Sequence, residues 1–246
     1  GEEVTTPGGH ASVWGLEADE WIDFRVSPKD ARIGELVATS RRYGALFSVN
    51  HPASECVGCG WTHEFVDGIE AIEISNGRHG EVANAIAIWD RLLRSGRRIT
   101  GVGSSDWHSA PSPLDDAHVR VLAPALTEDA ILGAIRGGHV IVMRSARDGT
   151  PDIAVRTGGR TARVGESLEV ATGSPLRIEI TAPGQSGAQV VVVRNGTRAA
   201  TATLDLLGEA TIEQPAAPGY VRVELYGADG SLIAIANPVY LVRPSP

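Results

Sequence analysis

The apolar pattern of this chain changes character once, and that change constrains the fold more than any single residue does. From residue 1 to about 146, short apolar runs alternate with stretches in which apolar side chains recur at helical spacing, the signature of a βα architecture. Ser27-Pro28-Lys29-Asp30 reads as a helix start, a capping serine followed by a proline in the first turn, and Ile33, Leu36 and Val37 carry the apolar face towards Tyr43-Gly44. Residues 45–49 read as a strand and residues 69–74 as another. A helix follows over 81–94, with Ala85, Ile88, Trp89 and Leu92 as its apolar stripe and Ser95-Gly96 as its stop. A strand over 98–103 comes next. Thr127-Glu128-Asp129 caps a further helix to Arg136, and Gly137-Gly138 turns the chain into a strand over 139–143.

At Arg147-Asp148-Gly149-Thr150-Pro151 the composition becomes turn-rich. Beyond it, alternating runs at residues 176–180, 190–193 and 220–225 sit between Gly, Pro and Asn turns, which predicts a small antiparallel β-sandwich. Asn195-Gly196 is the expected hairpin turn within it. Two units are therefore expected, an α/β unit over 1–147 and an all-β unit over 148–246.

The chain has 246 residues, 42% of them hydrophobic, long enough to bury a large share of its surface. Its net charge of -8 argues against a nucleic-acid or anionic-membrane partner, since both need clustered Lys and Arg. No apolar run reaches the length of a membrane span, and the sequence assigns no cellular compartment. Cys56-Val57-Gly58-Cys59 stands between His51 and His63 and has three readings: half a zinc site, a redox pair, or a local disulfide pinning a glycine-rich loop.

The chemistry gathers at strand ends. Gly103-Ser104-Ser105-Asp106-Trp107-His108 follows one apolar run, and an acid and an imidazole two apart at that place can converge on one metal ion. His51 closes another run before Pro52, which holds its backbone extended and aims the ring away from the strand. Glu2-Glu3-Val4-Thr5-Thr6 begins the chain, and Gly8-Gly9 leads to His10, which is either turned towards the site or left exposed. Period-two alternation sets Glu3 and Glu2 on opposite faces of their strand. Asn76, Arg78 and His79 follow a further strand end, as contacts to substrate oxygens or as a loop leading into a helix. His63, His118 and His139 are assigned to structure.

These elements, in this order, resemble the PHP (polymerase and histidinol phosphatase) superfamily: Glu3 with Gly8-Gly9-His10, Asn50-His51-Pro52, Glu73-Ile74-Ser75-Asn76-Gly77 and Gly103 to His108. They are most similar to its carbaryl-hydrolase-like branch, whose closing strand Ala234-Ile235-Ala236-Asn237-Pro238-Val239-Tyr240 also resembles. The resemblance implies a distorted seven-stranded (β/α) barrel of the TIM-like kind. It implies two or three divalent ions, zinc, manganese or iron, held by Glu3, His10, His51, Asp106 and His108, with Glu3 bridging. Asp106 and His108 would also be the catalytic residues of a metal-dependent hydrolase acting on phosphoesters.

Aryl esters, carbamates and phosphotriesters are the alternative substrates, with Trp107 and Trp61 suited to an aromatic leaving group. A non-catalytic metal-binding or interaction protein is the reading from a different class. The family's opening His-x-His and Thr-Asp-His strands are not in this sequence, whose seven histidines are spaced otherwise and whose single methionine is Met143. About two βα units, on the order of sixty residues, are therefore expected in a preceding segment or a second chain that brings further His ligands.

Overall fold

The structure is a computed structural model that describes residues 1–27, 32–77, 81–110, 114, 117–145 and 148–244. Its first sheet has five strands, β1 (Glu2–Thr6), β2 (Gly9–Trp14), β3 (Leu46–Val49), β4 (Ala71–Asn76) and β5 (Thr100–Ser104), in that spatial order. The tight turn at Pro7-Gly8 allows only an antiparallel β1–β2 pair, with Glu3 opposite Ser12 and Thr5 opposite His10. Alternation then gives the hairpin two unlike faces. Val4, Ala11 and Val13 are buried in the core, while Glu3, Thr5, His10 and Ser12 face the other way.

Helix α1 (Ile33–Arg42) leads from β2 to β3, which pairs antiparallel with β2, and buries Ile33, Leu36 and Val37. β3, β4 and β5 run parallel, and the whole of β3 and β4 is buried, as expected for strands covered on both faces. Helix α2 (Val82–Arg94) is the crossover between β4 and β5. Its Trp89 is fully buried and donates from Nε1 to the Ile99 carbonyl at 2.8 Å.

β6 (His118–Val121), α3 (Glu128–Arg136) and β7 (Val140–Met143) follow, with the Thr127 hydroxyl accepting from the Ala130 N–H as an N-cap. The remaining strands are β8 (Asp152–Thr157), β9 (Arg160–Arg163), β10 (Ser167–Glu169), β11 (Pro175–Thr181), β12 (Gln189–Arg194), β13 (Thr197–Thr203), β14 (Glu209–Pro215), β15 (Gly219–Tyr226), β16 (Leu232–Ala236) and β17 (Val239–Val242). An eight-stranded sheet runs β10-β17-β15-β16-β7-β6, with β12 on β15 and β13 on β12. A four-stranded sheet runs β14-β11-β8-β9. The two share one core, in which Leu176, Ile178 and Ile180 meet Val190, Val192 and Leu225. Asn195 and Gly196 both take positive φ, 47° and 76°, in the β12–β13 hairpin, as a turn of the primed type requires.

The expected (β/α) barrel with an appended sandwich is overturned. A barrel of that kind needs parallel strands with a helix in each crossover. Here β1, β2 and β3 are antiparallel neighbours, no helix lies between β3 and β4 among the described residues, and β6 and β7 leave the first sheet altogether. β7 pairs with β16, Met143 opposite Ala234, so residues on both sides of the junction at 147 build one sheet. The described helix begins at Ile33 without a side-chain cap, and the Ser27-Pro28-Lys29-Asp30 start falls on Pro28, Lys29 and Asp30, which lie outside the described residues.

A buried amide joins the sheets. Asn237 accepts from the Gly101 N–H at 2.7 Å and donates to the carbonyls of Gly101 and Val140 at 2.8 and 2.9 Å. Asn237→Ala leaves those buried backbone groups without partners, and a loss of about 2–3 kcal/mol in unfolding free energy is expected. Urea denaturation reads it directly, and a change below about 0.5 kcal/mol would show that Asn237 is not the tie.

Candidate metal centre

The carboxyl ends of β3, β4 and β5 and the polar face of the β1–β2 hairpin enclose an open cleft of about 640 Å³ lined by Glu3, Thr5, His10, His51, Ser54, Glu55, Cys56, Cys59, Asn76, Asp106 and His108. Such crevices beyond the carboxyl ends of parallel strands are where α/β sheets bind ligands. The pairing of β2 with β3 sets His10 beside His51: the Asn50 N–H donates to the His10 carbonyl at 3.0 Å, and the two imidazoles meet edge to face with centroids 5.1 Å apart. Glu3, diagonal to His10 across the hairpin, brings Oε1 to 3.4 Å from His10 Nδ1.

One ligand atom from each of Glu3, His10 and His51 lies within 4.8 Å of the others. Two imidazoles and a carboxylate are a donor set suited to a borderline divalent ion. His51 Nδ1 is buried with no hydrogen-bond partner, the kind of orphaned atom that a ligand satisfies. Burial, reinforced by His51, holds His10 below its ordinary value against the pull of Glu3 and Asp106, which favours the neutral ring with its lone pair available. The residues present therefore fit a divalent ion.

Asp106 and His108 line the same cleft but meet each other, with His108 Nε2 3.1 Å from Asp106 Oδ1. They stand outside the three-residue cluster. Glu2 points away from the cleft and accepts from the Ile22 N–H at 2.8 Å. Asn76 lines the cleft, whereas Arg78 and His79 lie outside the described residues. Trp107 is half exposed in the loop that carries Asp106 and His108. Trp61 is buried, packed on Phe47 and His63, and so cannot meet a leaving group. Cys56 and Cys59 form a disulfide in the cleft wall, which sets aside the half zinc site and is common to the redox-pair and local-disulfide readings. His63 is structural, 2.8 Å from the Thr6 hydroxyl, and His139 Nδ1 lies 2.9 Å from the Val164 carbonyl.

In the sequence Glu73 figures only as part of a matching motif, with no role of its own. It lies almost wholly buried in β4, where Oε2 accepts from the His51 N–H at 2.6 Å and from Asn76 Nδ2 at 3.1 Å while Oε1 accepts from the Ser104 hydroxyl. Burial pushes its carboxyl up, against the pull of the Ser104, Asn76 and His51 donors. The available signal was a carboxylate set between Ile72 and Ile74.

No family model matches the chain, and no curated protein does. Together with the three-sheet fold, this removes the resemblance to the PHP superfamily. Among solved structures, the crystal structure of an engineered protein is similar at 14% identity and a TM-score of 0.26. The match covers 87% of this chain and 46% of that one, a likeness too loose to bear on fold or function. No described helix is long and apolar enough to cross a membrane.

Proposed function

We propose that this cleft is the active site of a divalent-metal-dependent hydrolase acting on ester bonds, with phosphoesters first among its substrates. The observation that carries the reading is the convergence of Glu3, His10 and His51 around the unpartnered His51 Nδ1. Bound there, a divalent ion supplies charge that offsets the negative charge growing on an ester oxygen and makes a nearby water more acidic. Glu3, His10 and His51 hold it. Asp106 accepts a hydrogen bond from His108 Nε2 and so fixes the tautomer in which Nδ1 carries a lone pair. That nitrogen takes a proton from the attacking water and returns it to the departing alcohol. His108, with 80% of its side chain exposed, stands where a substrate arrives. Among the described residues lining the cleft there is no Lys or Arg, so a phosphoester depends on bound cations for its charge balance.

Elemental analysis of the purified protein, followed by hydrolysis of p-nitrophenyl phosphate and p-nitrophenyl acetate before and after chelation, tests this. Zinc, manganese or iron at about one equivalent fits the three-residue cluster. Two or three equivalents would bring Asp106 and His108 into coordination and remove His108 as the base. Absence of any bound or bindable ion would refute the reading and leave a non-catalytic role.

Glu3→Gln is expected to weaken metal binding at least about tenfold, because a neutral amide replaces the only carboxylate of the cluster. Glu2→Gln keeps an acceptor for Ile22 and leaves metal binding unchanged. Equal losses in both variants, read by zinc titration, would show that the hairpin face has been misassigned.

A further inference from the structure

Three non-glycine residues among those described take positive φ, and two of them, His51 at 24° and Asp106 at 48°, line the cleft. L-residues pay a steric penalty in that region, and such conformations persist only where their surroundings over-determine them. His51 therefore does not take the extended backbone expected of the residue before Pro52, a correction to the sequence expectation that its surroundings must enforce.

Both strained residues are wired to one side chain. The His51 N–H donates to Glu73 Oε2 at 2.6 Å, a direct hold on that backbone turn. The Asp106 N–H donates to the Ser104 hydroxyl at 3.4 Å, and that hydroxyl donates in turn to Glu73 Oε1. Asn76 Nδ2 fills the remaining position on Oε2. A single carboxylate in the middle strand thus grips the ends of both flanking strands, β3 through His51 and β5 through Ser104. A buried carboxylate carries a desolvation cost, and the three donors converging on it offset that cost.

We infer that Glu73 is a positioning residue, a clamp that holds His51 and Asp106 in their strained conformations as one unit and so presets the cleft for its ligand. This rests on the proposed metal-dependent reading for its purpose, though the clamp itself is testable without a metal. Glu73 is too deeply buried to touch a substrate. It acts through His51, Asn76 and Ser104, as the groups behind metal ligands commonly do.

The test uses the full chain, chelator-treated, as Glu73→Ala, Glu73→Gln and Ser104→Ala beside the unaltered protein. In metal-free protein, amide NMR of Glu73→Ala is expected to shift both the His51 and the Asp106 resonances and to speed their hydrogen exchange. Ser104→Ala is expected to move Asp106 and leave His51 in place. Glu73→Gln retains an acceptor and serves where the alanine variant fails to fold. In the same proteins, titration with zinc alone should show Glu73→Ala or Glu73→Gln binding at least about tenfold more weakly. Unchanged His51 and Asp106 amides in the Glu73 variants would overturn the clamp. Shifted amides with undiminished zinc affinity would overturn its positioning role. Coupled amide shifts in the variants, with an unaltered protein that binds neither zinc nor manganese, would sink the metal-dependent reading and leave the clamp standing.

Discussion

Arg222→Ala is expected to lower the unfolding free energy by about 3–5 kcal/mol, the cost of leaving a buried charge uncompensated. The Arg222 side chain is 1% exposed, and its guanidinium donates twice to Asp90 of α2, at 3.1 and 2.7 Å, and once to Glu224, its neighbour on the same face of β15. Tyr220 and Tyr226 donate to the same two carboxylates at 2.9 and 2.8 Å, and the guanidinium lies 5.2 Å from the Trp89 ring. Removing the cation strands two largely buried carboxylates. The control is a triple variant, Arg222→Met with Asp90→Leu and Glu224→Leu, which removes the charges together and is expected to recover most of the loss. Chemical denaturation of both variants decides the matter. An alanine variant within about 1 kcal/mol of the parent would mean that the cluster behaves like a surface ion pair.

His51→Ala is expected to abolish stoichiometric metal binding and to reduce ester hydrolysis at least about a hundredfold, since charge stabilisation dominates such reactions. The fold should survive, because the His51 N–H that binds Glu73 belongs to the backbone and remains. His108→Ala separates the roles: it should lower turnover while metal stays bound, because His108 pairs with Asp106 and stands outside the cluster. Metal analysis beside steady-state kinetics reads both. Full turnover in His51→Ala with metal still present would remove the cleft from the chemistry.

Much of the local structure was legible because apolar runs and helix stops act over short distances. The runs around Phe47, Ile72 and Val102 are strands, the Trp89 stripe is a helix, and Thr127 is a cap. Pairing was not legible. Nothing local distinguishes a β7 that closes a barrel from a β7 that joins β16 more than ninety residues away. The βα reading took alternation of elements as evidence of parallel order, and the two-residue turn at Pro7-Gly8 defeats it.

The site divides in the same way. Glu3, His10 and His51 are residue types with obvious ligand chemistry, and strand register brings them together. Asp106 and His108 carry the same chemistry, but a contact between them takes the place of convergence on the cluster. Asp90 and Glu73 are carboxylates, a residue type that mostly faces water. Their burial follows from partners distant in sequence, Arg222 for one and the ends of β3 and β5 for the other.

The passage of β6 and β7 into the eight-stranded sheet has a practical consequence for anyone dissecting this protein. Expressed alone, residues 148–246 would present the bare edge of β16, while residues 1–147 would carry the β6–β7 pair with the other edge of β7 bare. Raw edges of that kind recruit strands from other chains. The two pieces made together are each other's natural complement, which makes the turn-rich junction at 147 a seam for split-protein reassembly and an unsuitable place to trim.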